Sequence, residues 1–540
     1  MKKRLLAMIS LALVAMLVLA ACAPAGTGGP AGSEGGGAAG GGQAAGGGAT
    51  ASGSGDGGTV RDDITIAVIS EWATLDPMVG NDMLAFAVMT QFFDGLVLIN
   101  PDGEIEPGLA THWEISDDGT QYTFFLREGV LFHNGDVMTA DDVVFSVERA
   151  LASPATTRIT GTIHGIEKID DMTVMITLDH AYGPFLLCAT QANLGIVSRR
   201  AVEEMGDEAF ARHPIGTGPY VFVEWRPGDR LIMEAFQDYW RGPAAITHAE
   251  FRIITDAMAT TVALESGDVD MALSVTASER ENIVRNPNLA YYSTPSAAKW
   301  FIAFNMQEGI FADHPELRQA VAYSINRQDI IMGALEGLGY ELTAPLTPEV
   351  FGYPENFVNN FPHNPERARQ LVEEAGFLGH TIVLRTFESP NYAQPAAIMQ
   401  EQLRLAGFDA RLDLLERSAF MADVFTAGQY EIMFTALTAL VPDADFHLFN
   451  RYHSQFMGGG VNITFTNVPE IDELLVRGRL SGDPAERMQI YYDLSNLIVN
   501  EHNIIVPLFV PMSSTAGHAD LGGLQAHSAQ RYFIYNLYWR

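Results

Sequence analysis

The sequence predicts an α/β protein of two or three lobes carrying a β-rich insertion. Three observations lead there. Residues 61–540 are too many for a single ordinary hydrophobic core. Strand-like and helix-like runs alternate through the second half of the body, as βαβ units require. Between about residues 110 and 180, hairpin signals dominate instead.

In chain order, DITIAVI (63–69) alternates as a strand and stops at SEWATLDP, where Pro77 and its polar neighbours force a loop. DMLAFAVMTQFFDGLV (82–97) has helical spacing. THWEISDDGTQYTFFLREGVLF holds two strand runs around an Asp-Asp-Gly turn. Thr139 reads as an N-cap with Asp142 three residues on, starting the helix of VVFSVERAL. KIDDMTVMITLD is a second hairpin. AEFRIIT, TTVALESG closed by Gly267, and VDMALSV then read strand, helix, strand. HPELRQAVAYSIN and PERARQLVEEAGF are amphipathic helices, and HTIVLRTF, QPAAIMQEQLRLAGF and DARLDLLE form a βαβ unit. No internal repeat is visible.

The N-terminus carries its own message. MKKR followed by LLAMISLALVAMLVLA is a positive region before an apolar run, an export signal. A transmembrane span is the competing reading, since roughly 20 apolar residues can cross a bilayer. Leu19-Ala20-Ala21-Cys22 resembles the bacterial lipobox, in which the cysteine sulfur takes a diacylglycerol and becomes the new N-terminus. Cys188 is the other cysteine, so a lipidated Cys22 leaves it no disulfide partner, and it reads as a small buried hydrophobe. From Ala23 to about Thr59 the chain is almost all Gly, Ala and Ser, a flexible tether reaching about 30–35 Å.

The formal net charge is −34, and removal of Lys2, Lys3 and Arg4 with the signal makes it three units more negative. The sign of that charge opposes nucleic-acid binding, because the salt-dependent phosphate term would be repulsive. No HExxH, P-loop, EF-hand loop, paired-cysteine zinc spacing or GxSxG occurs. Gly216-Thr-Gly218 is too short for a dinucleotide loop. His447 and His453 lack a third fixed ligand, so no metal and no cofactor are expected. A membrane-tethered binding protein is the expectation from these features, with an enzyme, a surface-anchored hydrolase, as the alternative.

Residues 106–151, EPGLATHWEISDDGTQYTFFLREGVLFHNGDVMTADDVVFSVERAL, resemble the signature region of the family 5 extracellular solute-binding proteins, the peptide, glutathione and nickel group of ABC importers. Further landmarks follow the family order: TLDP (74–77), GTGPY (216–220), ESGDVD (265–270), FNMQEGIFADHPELRQAVAYSINRQDII (304–331) and NPERARQLVEEAGF (364–377). The resemblance implies a two-lobed periplasmic-binding-protein-like fold of type II, with a β-rich domain inserted in the N-terminal lobe. It divides the chain into a signal peptide (1–21), lipidated Cys22 and tether (22–60), lobe I (61–105), the insertion (106–213), more of lobe I (214–298), lobe II (299–506) and a lobe I tail (507–540). Its crossovers fall near 297–306 and 504–511. It also implies an ABC permease as partner, membrane attachment through the lipid, a small-molecule or peptide ligand, and a monomer. A homologue specialised for a metal chelate or another non-peptide ligand is a variant of the same reading.

In dipeptide-binding relatives a tryptophan and an aspartate precede a DP pair, the tryptophan lining the pocket and the aspartate holding the peptide ammonium. Alignment on YEIMFTALTALVPDADF puts Leu437 and Leu440 in those places; a shift of a few residues would instead make Asp443 or Asp445 the anchor. Arg385 lies near the segment where such relatives bind a carboxylate, although a surface strand arginine accounts for it equally. Lys299 and Trp300 at the crossover offer a charge and a stacking face. Glu71 and Trp72 precede TLDP in a loop that the resemblance turns toward the cleft.

Overall fold

The computed structural model describes residues 61–80, 83–100, 103–438, 441–458, 460–528 and 532–540. The signal sequence, Cys22, the tether and Leu440 lie outside them.

Lobe I begins with β1 (Asp63–Val68), whose alternation buries Ile64 and Ile66. Helix α1 (Met83–Met89) is much shorter than the apolar run predicts. The chain leaves the helix because the carbonyls of Gln91 and Phe92 accept from Tyr220 N (3.0 Å) and Gly218 N (2.9 Å). The GTGPY landmark is thereby explained: a Cβ on Gly218 would stand 2.5 Å from the carbonyl carbon of Phe92, and one on Gly216 would overlap the Phe92 oxygen. These glycines permit two backbones to touch.

The insertion contains both predicted hairpins. β2 (Ala110–Ile115), β3 (Gln121–Leu126), β4 (Ile163–Asp170) and β5 (Thr173–Leu178) form an antiparallel sheet ordered β2-β3-β5-β4. Helix α2 (Ala140–Ala152) packs on β4 and β5. Asp142 Oδ2 accepts from both Thr139 N (3.0 Å) and Thr139 Oγ1 (3.1 Å), fixing the helix start.

The chain returns to lobe I through β6 (Tyr220–Arg226), β7 (Arg230–Ala235), β8 (His248–Ile253), α3 (Ala257–Ser266), β9 (Met271–Ala272) and β10 (Leu289–Pro295). β1 lies parallel to β8 on one side and β9 on the other. VDMALSV yields only the two-residue β9: its ladder to β1 runs from Asp270 N on the Thr65 carbonyl to Leu273 N on the Ala67 carbonyl, and the chain then turns away.

Lobe II comprises β11 (Ala298–Phe304), α4 (Pro315–Ser324), α5 (Arg327–Ala334), β12 (Gly339–Glu341), α6 (Pro365–Glu374), β13 (Thr381–Phe387), α7 (Pro390–Leu405), β14 (Asp409–Leu415), β15 (Ile432–Thr438), α8 (Ala444–Tyr452), α9 (Pro469–Leu480) and α10 (Pro484–Asn496). The predicted βαβ unit is β13-α7-β14, parallel from Thr381 opposite Asp409 to Phe387 opposite Leu415. Helices cover both faces of the sheet, so alternate residues of β11 feed two cores: Trp300, Ile302 and Phe304 one, Phe301 and Ala303 the other.

Strand β16 (Ile505–His518) joins the lobes. Its first residues pair with β11 and β12, and from Met512 onward it pairs with β10. The neighbouring link, Ser296–Ala297, connects β10 to β11. The tail then delivers Tyr532, Ile534 and Leu537 into the lobe I core.

Candidate functional site

Open α/β sheets bind ligands beyond the carboxyl ends of their parallel strands. In lobe I, β1, β8 and β9 end at loops 69–74, 254–256 and 273–275. In lobe II, β13, β14 and β15 end at Phe387, Leu415 and Thr438. Antiparallel β11 begins beside them, with Lys299 opposite Leu437 and Trp300 opposite Ala436.

An aromatic wall stands at this edge of lobe II. The Trp300 ring lies 4.5 Å from Tyr392, 5.5 Å from Phe434 and 5.4 Å from Phe509, stacked on the last. Phe387 continues the wall, 4.8 Å from Tyr392 and 4.1 Å from Phe420. Trp300 is 9% exposed, and its Nε1 is buried without a hydrogen-bond partner. A buried donor left unmade costs about 1–3 kcal/mol, a cost that a ligand acceptor would remove. Leu437 is half-buried and packs on the neighbouring core.

Several sequence candidates have other occupations. Trp72 is 1% exposed and packs against Trp225 and Phe251, so it belongs to the lobe I core and does not line a cleft. Glu71 is exposed, but its Oε1 accepts from Trp225 Nε1 (3.2 Å) and Gly228 N (3.1 Å), strapping the loop to the β6-β7 hairpin. The TLDP aspartate, Asp76, holds Arg149 through both oxygens (2.8 and 2.5 Å). Arg385 pairs with Asp413 at 3.1 Å and donates to the Gln429 carbonyl, which takes up the charge that a ligand carboxylate would need.

Lys299 is buried and donates to the Pro345 carbonyl at 2.7 Å. Burial, with Arg451 nearby, pulls its amine down to about 7. It faces the core containing α8, where burial and Lys299 together hold the His447 imidazole well below its usual range. Lys299 is therefore an interior amine of lobe II.

Asp443 and Asp445 are closed by arginines, which removes either as an open ammonium anchor. Asp443 caps α8, accepting from Asp445 N (2.9 Å) and from Arg487 Nη2 (2.6 Å). Its burial pushes the carboxyl up, against the pull of Arg487. Asp445 accepts two bonds from Arg479 (2.9 and 2.8 Å) and one from Tyr182 Oη (3.1 Å). Tyr182 belongs to the insertion, so this last bond crosses between lobes; Gly183 N adds another to the Arg479 carbonyl (3.1 Å). Cys188 lies buried beside the cluster, its thiol pushed up by burial. Two buried acids demand cations, but nothing local in the sequence indicated Arg479, Arg487 or Tyr182, nor the grouping of Tyr392, Phe387 and Phe509 around Trp300. Among the described residues no cluster of His, Cys, Asp or Glu could hold a metal ion.

The model for bacterial extracellular solute-binding proteins, family 5, middle region, matches residues 104–459. This chain belongs to that family. The glutathione-binding protein GsiB of Salmonella typhi is 29% identical over 473 residues, covering 85% of this chain and 91% of GsiB. Among solved structures, HbpA2 from Haemophilus parasuis superposes with a TM-score of 0.82 at 25% identity, covering 88% of this chain and all of HbpA2. The periplasmic binding protein DppA from Helicobacter pylori, in complex with the peptide STSA, gives 0.73 at 26% identity over 89% of this chain and 98% of DppA. The resemblance carried by the sequence landmarks is thus a true family membership, and the fold is the two-lobed type II binding-protein fold. As a family 5 solute-binding protein, the chain has relatives that bind solutes outside the cytoplasm; no helix among its described residues is long and apolar enough to cross a membrane.

Proposed function

We propose that this protein is a lipid-anchored receptor that captures an oligopeptide-like or related small solute between its two lobes and delivers it to an ABC permease. Family membership across residues 104–459 carries the reading. The lipobox at Cys22 and the Gly-rich tether supply the anchor, and the proposed domain limits are those read from the sequence. Relatives that bind glutathione and the peptide STSA favour a peptide-like ligand.

The ligand is constrained by what the site lacks. With Asp443 and Asp445 committed to Arg487 and Arg479, α8 has no carboxylate left for a peptide ammonium, and an unpaired buried ammonium is costly. Grip through the ligand's backbone and apolar groups, against Trp300, Tyr392, Phe387 and Leu437, is favoured over a simple dipeptide clamp. Native mass spectrometry of the purified protein, followed by unfolding to release its cargo, tests this. Intact stoichiometric ligand supports the receptor, whereas turnover of a peptide mixture would support a hydrolase. A true ligand at 100 times its Kd stabilises the protein by about 2.7 kcal/mol.

A further inference from the structure

A second site lies in lobe II. At the start of α5 a cavity of about 270 Å³ opens between that helix, the end of β12 and the segment 359–363. Arg327 forms one wall. It is 5% exposed, it donates Nε to the Pro507 carbonyl at 2.7 Å, and its Nη2 is buried with no partner. No carboxylate among the described residues lies within ion-pair distance of it. The same lobe shows how a buried arginine is otherwise accommodated: Arg318 spreads its guanidinium over the carbonyls of His502, Phe311 and Ala312. Lys299 meets its burial by loosening its proton. A guanidinium does not have that option at physiological pH, so Arg327 keeps a desolvated charge without an anion.

We propose that this cavity binds a small oxyanion, a phosphate group or its close analogue, with Arg327 as its charged anchor and Gln328 and His363 as further donors. The planar guanidinium suits bidentate contact with such a group. Asn326 is already committed as the helix cap, accepting from Gln328 N (3.1 Å) and Asp329 N (3.3 Å), and Asn359 donates to the Thr343 carbonyl (3.0 Å), so these residues shape the cavity more than they bind. Two acids oppose an anion: exposed Glu341, which lines the cavity, and Asp329 on the first turn of α5. Glu341 stands near enough to favour the charged form of Arg327 but makes no bond to it. The site shares no residue with the aromatic wall at Trp300.

Isothermal titration of the full-length protein with inorganic phosphate, and sedimentation with phosphatidic acid vesicles, test the assignment and separate a free phosphate from a lipid headgroup. Saturable binding in either arm supports it. Glu341→Gln should then tighten binding roughly two- to fivefold, the effect of removing one exposed like charge, while His363→Ala should weaken it. Arg327→Gln should abolish it; should that variant misfold, the two surface variants still decide. Binding in neither arm, or binding unmoved by both Glu341→Gln and His363→Ala, overturns the proposal.

Discussion

Replacing Arg487 with methionine isolates the energetics of the buried pair on α8. The Arg487 side chain is 6% exposed and that of Asp443 0%. Asp443 keeps one oxygen without a partner even with arginine present. Removing one member of a buried pair costs about 3–5 kcal/mol, because the survivor is left charged and desolvated. Denaturant unfolding of the variant at pH 8 should show a loss of that size. The loss should depend on pH. Asp443 is already raised by burial, and without Arg487 it rises further. An acid whose folded pKa exceeds its unfolded value of about 3.9 binds protons on folding; stability then falls as pH rises above that value through the folded pKa. The variant's deficit is therefore largest at pH 8 and shrinks toward pH 5. The double variant Arg487→Met with Asp443→Asn should recover most of the loss. A single variant that costs less than about 1 kcal/mol at pH 8, or a double variant no better than the single, would refute the reasoning.

Four further outcomes are expected. Lys299, pulled down to about 7, binds fewer protons folded than unfolded between that value and about 10.4, so wild-type stability should rise with pH across that interval. Lys299→Met should be the more stable protein at pH 6 by a few kcal/mol (about 1.4 per pKa unit), with the gap shrinking steadily as pH rises from about 7 toward about 10.4 in a thermal pH series; a gap independent of pH would count against a charged buried amine. Tyr182→Phe removes the bond to Asp445 between lobes and should weaken ligand binding about fivefold by titration, unchanged affinity meaning that the contact does not accompany closure. Gly218→Ala forces a Cβ against Phe92 and should cost about 1–3 kcal/mol in denaturant unfolding. A palmitate analogue fed to cells should label the wild type and leave Cys22→Ala unlabelled; equal labelling would remove the anchor.

What the sequence made legible was local. The Asp-Asp-Gly turn, the Thr139 cap with Asp142 and the parallel β13-α7-β14 unit each follow from residues within a few positions of one another, and each stands where the pattern puts it. The failures are tertiary. Helix α1 stops early because its continuation is needed as backbone partner for residues 218–220, over a hundred positions away. Trp72, in the loop after β1, and Lys299, on β11, carry residue types suited to a site, yet both are interior; β11 is covered on two faces, so its alternation cannot signal which side faces a cleft. Asp443 and Asp445 read as open acids because their arginines lie 44 and 34 residues downstream.

The position of β16 bears on how the lobes can move. One strand of fourteen residues serves both sheets, and its change of partner at Met512 sits next to the other link at Ser296–Ala297. Two adjacent connections with strand pairing on either side leave little freedom for sliding but permit rotation about the line joining them. The aromatic wall lies close to that line, since Trp300 pairs with Phe509 on β16 itself. The Tyr182 bond to Asp445 is carried by the insertion and α8, outside the shared strand. A ligand seated on Trp300 would act near the hinge, where a small displacement sets the angle, and the polar contact between insertion and α8 would be made or broken as that angle changes. Ligand affinity and this remote bond are then linked through one equilibrium: each stabilises the closed arrangement by its differential interaction with it. That linkage makes Tyr182→Phe informative, because the substituted group lies in the interlobe cluster and has no place on the aromatic wall.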